Sequence, residues 1–345
     1  MRTSLVSNVS IQNSMRLTVR DAQAGLLKAS AEAATGRHAD VGLALGALTS
    51  QSLNLNRDVD RLTAIKTANA VSAARMETTQ AALKNLTAAA DQAGKNLTTY
   101  MHSITSTDLS SLQENMNTAL SSFVTSVNSY SQGEFIFGGI NTGEPPIKDA
   151  GFAEAAKVIN DLYANTFSNV AAGDITKEQM GGFIDQVEKI LIGNSSQWSL
   201  ISTASDTNIS SRIGTNEVVQ TSTNANSYGM RNYVLGALLA REMADIPGLS
   251  GEVRGEVNGR ALRYMSTSSV GLTSDASTIG TSQERLTTAN KSIDNQVKIY
   301  KTHLLTLEGV DPYEASTLVK TLKAQVDTSY TLTAMLQKLS LLNYL

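Results

Sequence analysis

Apolar residues recur at alternating steps of three and four in two stretches, residues 11–127 and 286–345, and that rhythm is lost between them. Such spacing puts the apolar side chains on one face of a helix. It predicts two helical arms far apart in sequence that pair side by side. The first arm opens with Ile11, Met15, Thr18, Ala22, Leu26, Ala29 and Ala33, then meets Gly36, a residue suited to a helix C-terminal cap, and Asp40, suited to cap the next helix. Val41, Leu45, Leu48, Ser52, Leu55, Val59 and Leu62 form the cleanest stripe, continued after a phase change by Met76, Leu83, Leu86, Ala90, Leu97, Met101 and Ile104. An unbroken helix over 41–104 would reach about 95 Å at 1.5 Å per residue, which points to a coiled coil. A break at Ser106, Thr107 and Asp108 precedes a helix over 109–131, expected to fold back antiparallel on the long one.

Beyond it, Phe135, Ile136 and Phe137 read as a strand, Gly138 and Gly139 as a turn, and Pro145-Pro146 as an extended exit. Helical patterns follow at 152–172 and 177–192, a few strands within 198–224, and helices again at 227–245 and 249–265. The second arm is expected from about residue 277, with Leu286, Ile293, Tyr300 and Leu307 spaced by sevens. Gly309 ends that helix. Asp311, Pro312 and Glu314 fit the N-cap, N1 and N3 positions of a capping box. Leu318, Leu322, Leu332, Leu336, Leu339, Leu342 and Leu345 then carry an apolar stripe through the last residues. In a lone chain these leucines would be a liability, so a neighbouring copy is expected to cover them.

The fold class expected is mainly α: a long antiparallel helical coiled-coil rod of paired N- and C-terminal arms, carrying a smaller mixed α/β insert. Three divisions follow. Residues 1–40 with 310–345 form a terminal helical assembly domain. Residues 41–147 with 272–309 form a helical rod domain, and residues 148–271 form the outward-facing insert. Intramolecular packing accounts for the seams of 41–130 and 280–307. The terminal segments have no third element to bury their second faces and are expected to pack between molecules.

Composition narrows the function. Aromatic residues are 5% of the 345 and Trp198 is the single Trp, which suits thin helical packing. The net charge of −3 supplies no basic field for nucleic acid or an anionic membrane. With no cysteine, disulfides, thiolate metal sites and Cys nucleophiles are excluded. No apolar run approaches a membrane span of about 20 residues, and the first residues lack the apolar segment of a cleaved signal peptide. His38, His102 and His303 have no paired-ligand spacing. No Gly-x-Ser-x-Gly elbow occurs, and Gly138-Gly139 lacks the Gly-Lys-Ser/Thr of a phosphate loop. The expectation is a structural protein: not an enzyme, with no cofactor, catalytic group or metal site.

Several segments resemble the flagellin-like axial proteins of bacteria, and among them the hook–filament junction proteins, the hook-associated proteins of the FlgL type. The ending Leu339-Ser340-Leu341-Leu342-Asn343-Tyr344-Leu345 is similar to that family's C-terminus. So is Gly133-Glu134-Phe135-Ile136-Phe137-Gly138-Gly139 with Thr142 and Pro145-Pro146, to the stretch after its long helix pair. The joint Glu308-Gly309-Val310-Asp311-Pro312 with Glu314-Ala315 resembles its break before the last helix, and Thr35-Gly36-Arg37 its first turn. Where many relatives place a Pro-Ser-Asp-Asp-Pro-like run, this chain has His38-Ala39-Asp40-Val41-Gly42.

The resemblance implies a structural part of the flagellum, exported through the flagellar type III apparatus without a cleaved signal peptide. Its implied partners are copies of itself in a ring, the other hook-associated junction protein, flagellin and an export chaperone, with no nucleic acid and no membrane insertion. Ile11, Met15, Leu26, Leu318, Leu322, Leu332, Leu336, Leu339, Leu342 and Leu345 are the expected assembly interface. Gly36, Gly138, Gly139, Gly309, Asp311 and Pro312 are the expected hinges and turns. Filament flagellin is the alternative, and a cytoplasmic signalling coiled coil a more distant one.

Overall fold

The computed structural model describes residues 8–193 and 197–342. The fold is mainly α, with long helices and two small antiparallel sheets. The chain divides into two compact units, residues 64–292 and residues 1–63 with 293–345.

In the unit of residues 64–292, helix α3 (Thr49–Thr99) supplies its later turns and helix α4 (Ser106–Val127) returns along it. Their apolar faces, Leu83, Leu86 and Leu97 against Leu112, Met116, Leu120 and Phe123, share one core. The Thr105 side chain accepts a bond from the Asp108 N–H (3.3 Å), so the N-cap precedes the segment expected to hold it. Helix α5 (Gly151–Thr166), helix α6 (Lys177–Leu191) and helix α7 (Tyr228–Ala244) join this core, as do Val253, Val257, Ala261 and Met265 further along the chain. Thr176 and Gln179 start α6 with reciprocal side-chain bonds. Almost every residue of α7 is buried, as expected of a helix wrapped on all sides. The Tyr233 ring stacks on Phe123 with centroids 5.0 Å apart, and its hydroxyl donates to the Ala119 carbonyl (3.0 Å).

The strands are shorter than the sequence suggests. β1 (Tyr130–Ser131) pairs with β2 (Glu134–Phe135), while Ile136 and Phe137 leave the strand and enter the core. β3 (Ser210–Arg212) pairs with β4 (Val218–Gln220). Ile213 and Val219 join Met76, Ile279, Leu286 and Ala289 in a second, smaller core. There the Asn69 side chain donates to the Ile213 carbonyl (2.9 Å) and to Asn290 (2.8 Å).

Two expectations are corrected. Helix α8 (Gly251–Glu308) runs for 58 residues, so the insert's last helix and the second arm are one element with no start near 277. Residues 266–282 are rich in Ser, Thr and Gly, poor helix formers on average, but contain no Pro. The hydroxyls of Thr273, Thr278 and Thr281 satisfy themselves on carbonyls four residues back (2.8–3.1 Å). The helix expected over 41–104 is interrupted: α2 (Val41–Leu45) and a 3-10 turn at Gly46–Leu48 precede α3. Gly46 takes φ +51°, a left-handed conformation that glycine adopts at little cost.

The unit of residues 1–63 and 293–345 contains α1 (Asn8–Thr35), α2, the first turns of α3, the last turns of α8, and α9 (Pro312–Leu342). Helices α1 and α9 lie antiparallel. Gly36 accepts from the Val310 N–H (3.1 Å) at one end, and Gly25 faces Leu322 further along.

Candidate assembly surface

The seam between α1 and α9 is built largely from small side chains. Ala22 and Ala29 are buried on α1, with Ala315 and Val326 on α9. Gly25 lets the Leu322 methyl come close, since a Cβ there would sit 3.3 Å from it. The Gln23 side chain donates to the Tyr330 hydroxyl (2.6 Å) across the same seam. Met15, Ala22 and Ala29 are spaced by sevens and Leu26 lies four residues past Ala22, so the half-buried Met15 and Leu26 share the seam face. Leu322 is half-buried opposite them.

The narrow seam leaves large apolar side chains uncovered on both helices. Leu27 is 74% exposed on α1, and Leu318 and Leu332 are 46% and 45% exposed on α9. Leu17, Tyr313 and Met335 are exposed as well. Among the expected interface residues, Leu318 and Leu332 are about half exposed, while Met15, Leu26 and Leu322 line the seam. The side chains of Ile11, Leu336, Leu339, Leu342 and Leu345 lie outside the described residues. Leu17 and Leu27 carry a signal that a single stripe hides: they stand roughly opposite Ala22 on the helix circumference, at 100° per residue.

At the inner end of the pair, two motifs that lie far apart in sequence meet. Gly36 has φ +68° and closes α1, its N–H donating to the Glu32 carbonyl (2.8 Å). Arg37 and Gly309 form an antiparallel bridge, and the His38 N–H donates to the Glu308 carbonyl (2.9 Å). The Glu308 side chain is buried. One oxygen accepts from the Ser52 hydroxyl and from Asn56 (3.2 Å), and the other lies 3.2 Å from Arg37 Nη1. Glu32, also buried, accepts from the Ala39 N–H (3.1 Å). Gly309 cannot take a side chain, because a Cβ would run into the Leu305 carbonyl. Asp311 caps α9 by accepting from the Tyr313 N–H (2.8 Å), next to Pro312 at the first helical position. The cap thus acts on the second helical residue. Among the described hydrogen bonds, Glu314 gives no reciprocal one.

Gly138 and Gly139 belong to the other unit and mark a packed corner. A Cβ on Gly138 would overlap the Asn141 carbonyl; one on Gly139 (φ +63°) would lie 2.5 Å from the Ser205 carbonyl. The three histidines sit singly. His38 is 3.8 Å from Glu32, His102 Nδ1 is 3.0 Å from the Gly251 carbonyl, and His303 is exposed. Among the described residues no three His, Cys, Asp or Glu side chains gather as a metal site would need, and no helix is long and apolar enough to cross a membrane.

Residues 6–142 match a model of the bacterial flagellin N-terminal helical region, and residues 262–345 match the bacterial flagellin C-terminal helical region. No match was found among curated proteins. A solved structure from Vibrio parahaemolyticus, named for the flagellar hook-associated proteins, resembles this fold with a TM-score of 0.52. It is 10% identical, and the alignment covers 75% of this chain and 96% of that one. The two matched regions take up most of the chain and include both α1 and α9, and by them this protein belongs to the flagellin superfamily, the structural proteins of the bacterial flagellum.

Proposed function

We propose that the protein joins the hook to the filament, as a hook-associated junction protein of the FlgL type. It would do so by packing its terminal helix pair against the same pair in neighbouring copies. The observation that carries the assembly mechanism is the uneven placement of exposed apolar side chains. Of the nineteen large ones among the described residues, twelve lie in the unit of residues 1–63 and 293–345, the smaller of the two. Covering such a side chain fully is worth about 1.5–3 kcal/mol. A ring of copies supplies that cover repeatedly without any further ligand.

In this reading residues 1–40 and 310–345 form the assembly domain, residues 41–147 and 272–309 the rod, and residues 148–271 face outward. Its partners are its own copies, the other hook-associated junction protein, flagellin and an export chaperone. Export proceeds through the type III apparatus without a cleaved signal peptide. The sequence ending Leu342-Asn343-Tyr344-Leu345 favours the junction role. A second reading, filament flagellin, is favoured by the names of the two matching regions. Immunogold labelling of intact flagella with an antibody against residues 151–191 separates them. A single band between hook and filament supports the junction role. Label along the whole filament makes the protein a flagellin.

A further inference from the structure

The terminal helix pair leaves the rest of its unit through two short connections, residues 36–40 between α1 and α2 and residues 309–311 between α8 and α9. Each contains a glycine where the chain turns, Gly36 and Gly309, and short links of this kind can pivot. The Glu308 carboxylate lies between them. It collects Ser52 and Asn56 from α3 on one oxygen and Arg37 from the first connection on the other. The backbone of the same residue accepts from His38. One buried side chain thus ties α8, α3 and the exit of α1 together, and Glu32 fastens the same exit from inside α1 through the Ala39 N–H.

A carboxylate is a costly way to fill a buried position, since removing a charge from water is unfavourable unless donors surround it. Here three donors from two separate segments do so. An apolar side chain of similar size would fill the space yet leave the buried Ser52 hydroxyl without its acceptor and fix no direction. What the charged group adds is geometry, because its bonds are satisfied at one arrangement of the connections and lost when they pivot.

We propose that Glu308 is a positioning residue that latches the α1/α9 pair at a single angle to α3 and α8, and that this angle is required for a copy to enter its assembly. The latch is a property of the isolated chain. The requirement for assembly rests on the function proposed above.

The test uses the full-length chain with Glu308→Gln. Glutamine keeps an oxygen for Ser52 and Asn56 but turns an amide towards Arg37, so the charged bond is lost. Amide hydrogen exchange should quicken about tenfold or more at His38, Ala39 and Val310, with α7 amides unchanged. Arg37→Gln should do the same, and the double variant should add little to either single change. Where Glu308→Gln also loosens α7, Ser52→Ala removes one donor, leaves the ion pair and must quicken the same amides by a smaller factor. Unchanged exchange at these amides, or free exchange there in the unaltered chain, overturns the latch. In cells the Glu308→Gln chain should be exported normally and enter flagella at less than about a tenth of the unaltered level. Normal incorporation despite quickened exchange overturns the requirement for a fixed angle. Absence of the unaltered protein from flagella instead sinks the proposed function, while the exchange result on the isolated chain still stands.

Discussion

Gly229 and Gly271 meet backbone to backbone: a Cβ on Gly271 would lie 2.7 Å from the Gly229 Cα. The first turn of α7 therefore presses directly on α8, and neither position can take a methyl group without moving a helix. Gly271→Ala should cost about 1–3 kcal/mol, the usual range for overpacking, read as a lower urea midpoint. Gly259, on the same helix, has open space where its Cβ would go. Gly259→Ala should stabilise the chain by up to about 1 kcal/mol. Equal effects at the two sites would mean the helices do not touch at Gly229.

Burial pushes the Tyr233 hydroxyl well above the usual tyrosine range, so it stays protonated and keeps donating to the Ala119 carbonyl. Tyr233→Phe removes that bond and keeps the ring on Phe123. The expected loss is about 0.5–1.5 kcal/mol with no change in the slope of the urea transition.

Asp275 titrates in the opposite sense from a paired carboxylate. Burial raises its pKa, with the neighbouring Ser227 and Thr223 hydroxyls pulling the other way. A carboxyl raised on folding contributes stability that is fully present below its unfolded pKa and lost as pH rises through the folded one. Asp275→Asn should therefore raise the melting temperature at neutral pH. The gain should fade as pH falls towards about 4, near the unfolded pKa. Thermal scans across that range check it, and a gain that grows on acidification contradicts it.

The helical arms were legible because strict three-and-four spacing survives over many turns, as in Leu83, Leu86, Ala90, Ala93 and Leu97. Less legible was what each apolar face touches. Met15 and Leu26 belong to a stripe whether the cover comes from α9 or from another molecule, and the spacing is the same in both cases. Leu17 and Leu27 stand off that stripe and pass for isolated surface leucines until the narrow seam shows which side is left open. The continuity of α8 was hidden because Gly and Thr are poor helix formers on average. At Gly271 and Thr278, a close helix contact and a back-bonded hydroxyl override that average. The Glu308–Arg37 joint was present in two separate motifs, but nothing local in either one says that they meet.

Assembly of the terminal pair through its uncovered apolar side chains is tested most directly by Leu318→Asp combined with Leu332→Asp. Both side chains are about half buried, so the purified monomer should lose on the order of 1.5–3 kcal/mol and still fold, checked by urea unfolding. Expressed in cells that lack the native copy, the variant should be exported and then be missing from sheared, washed flagella. Recovery of the folded double variant in flagella at the unaltered level would contradict the account.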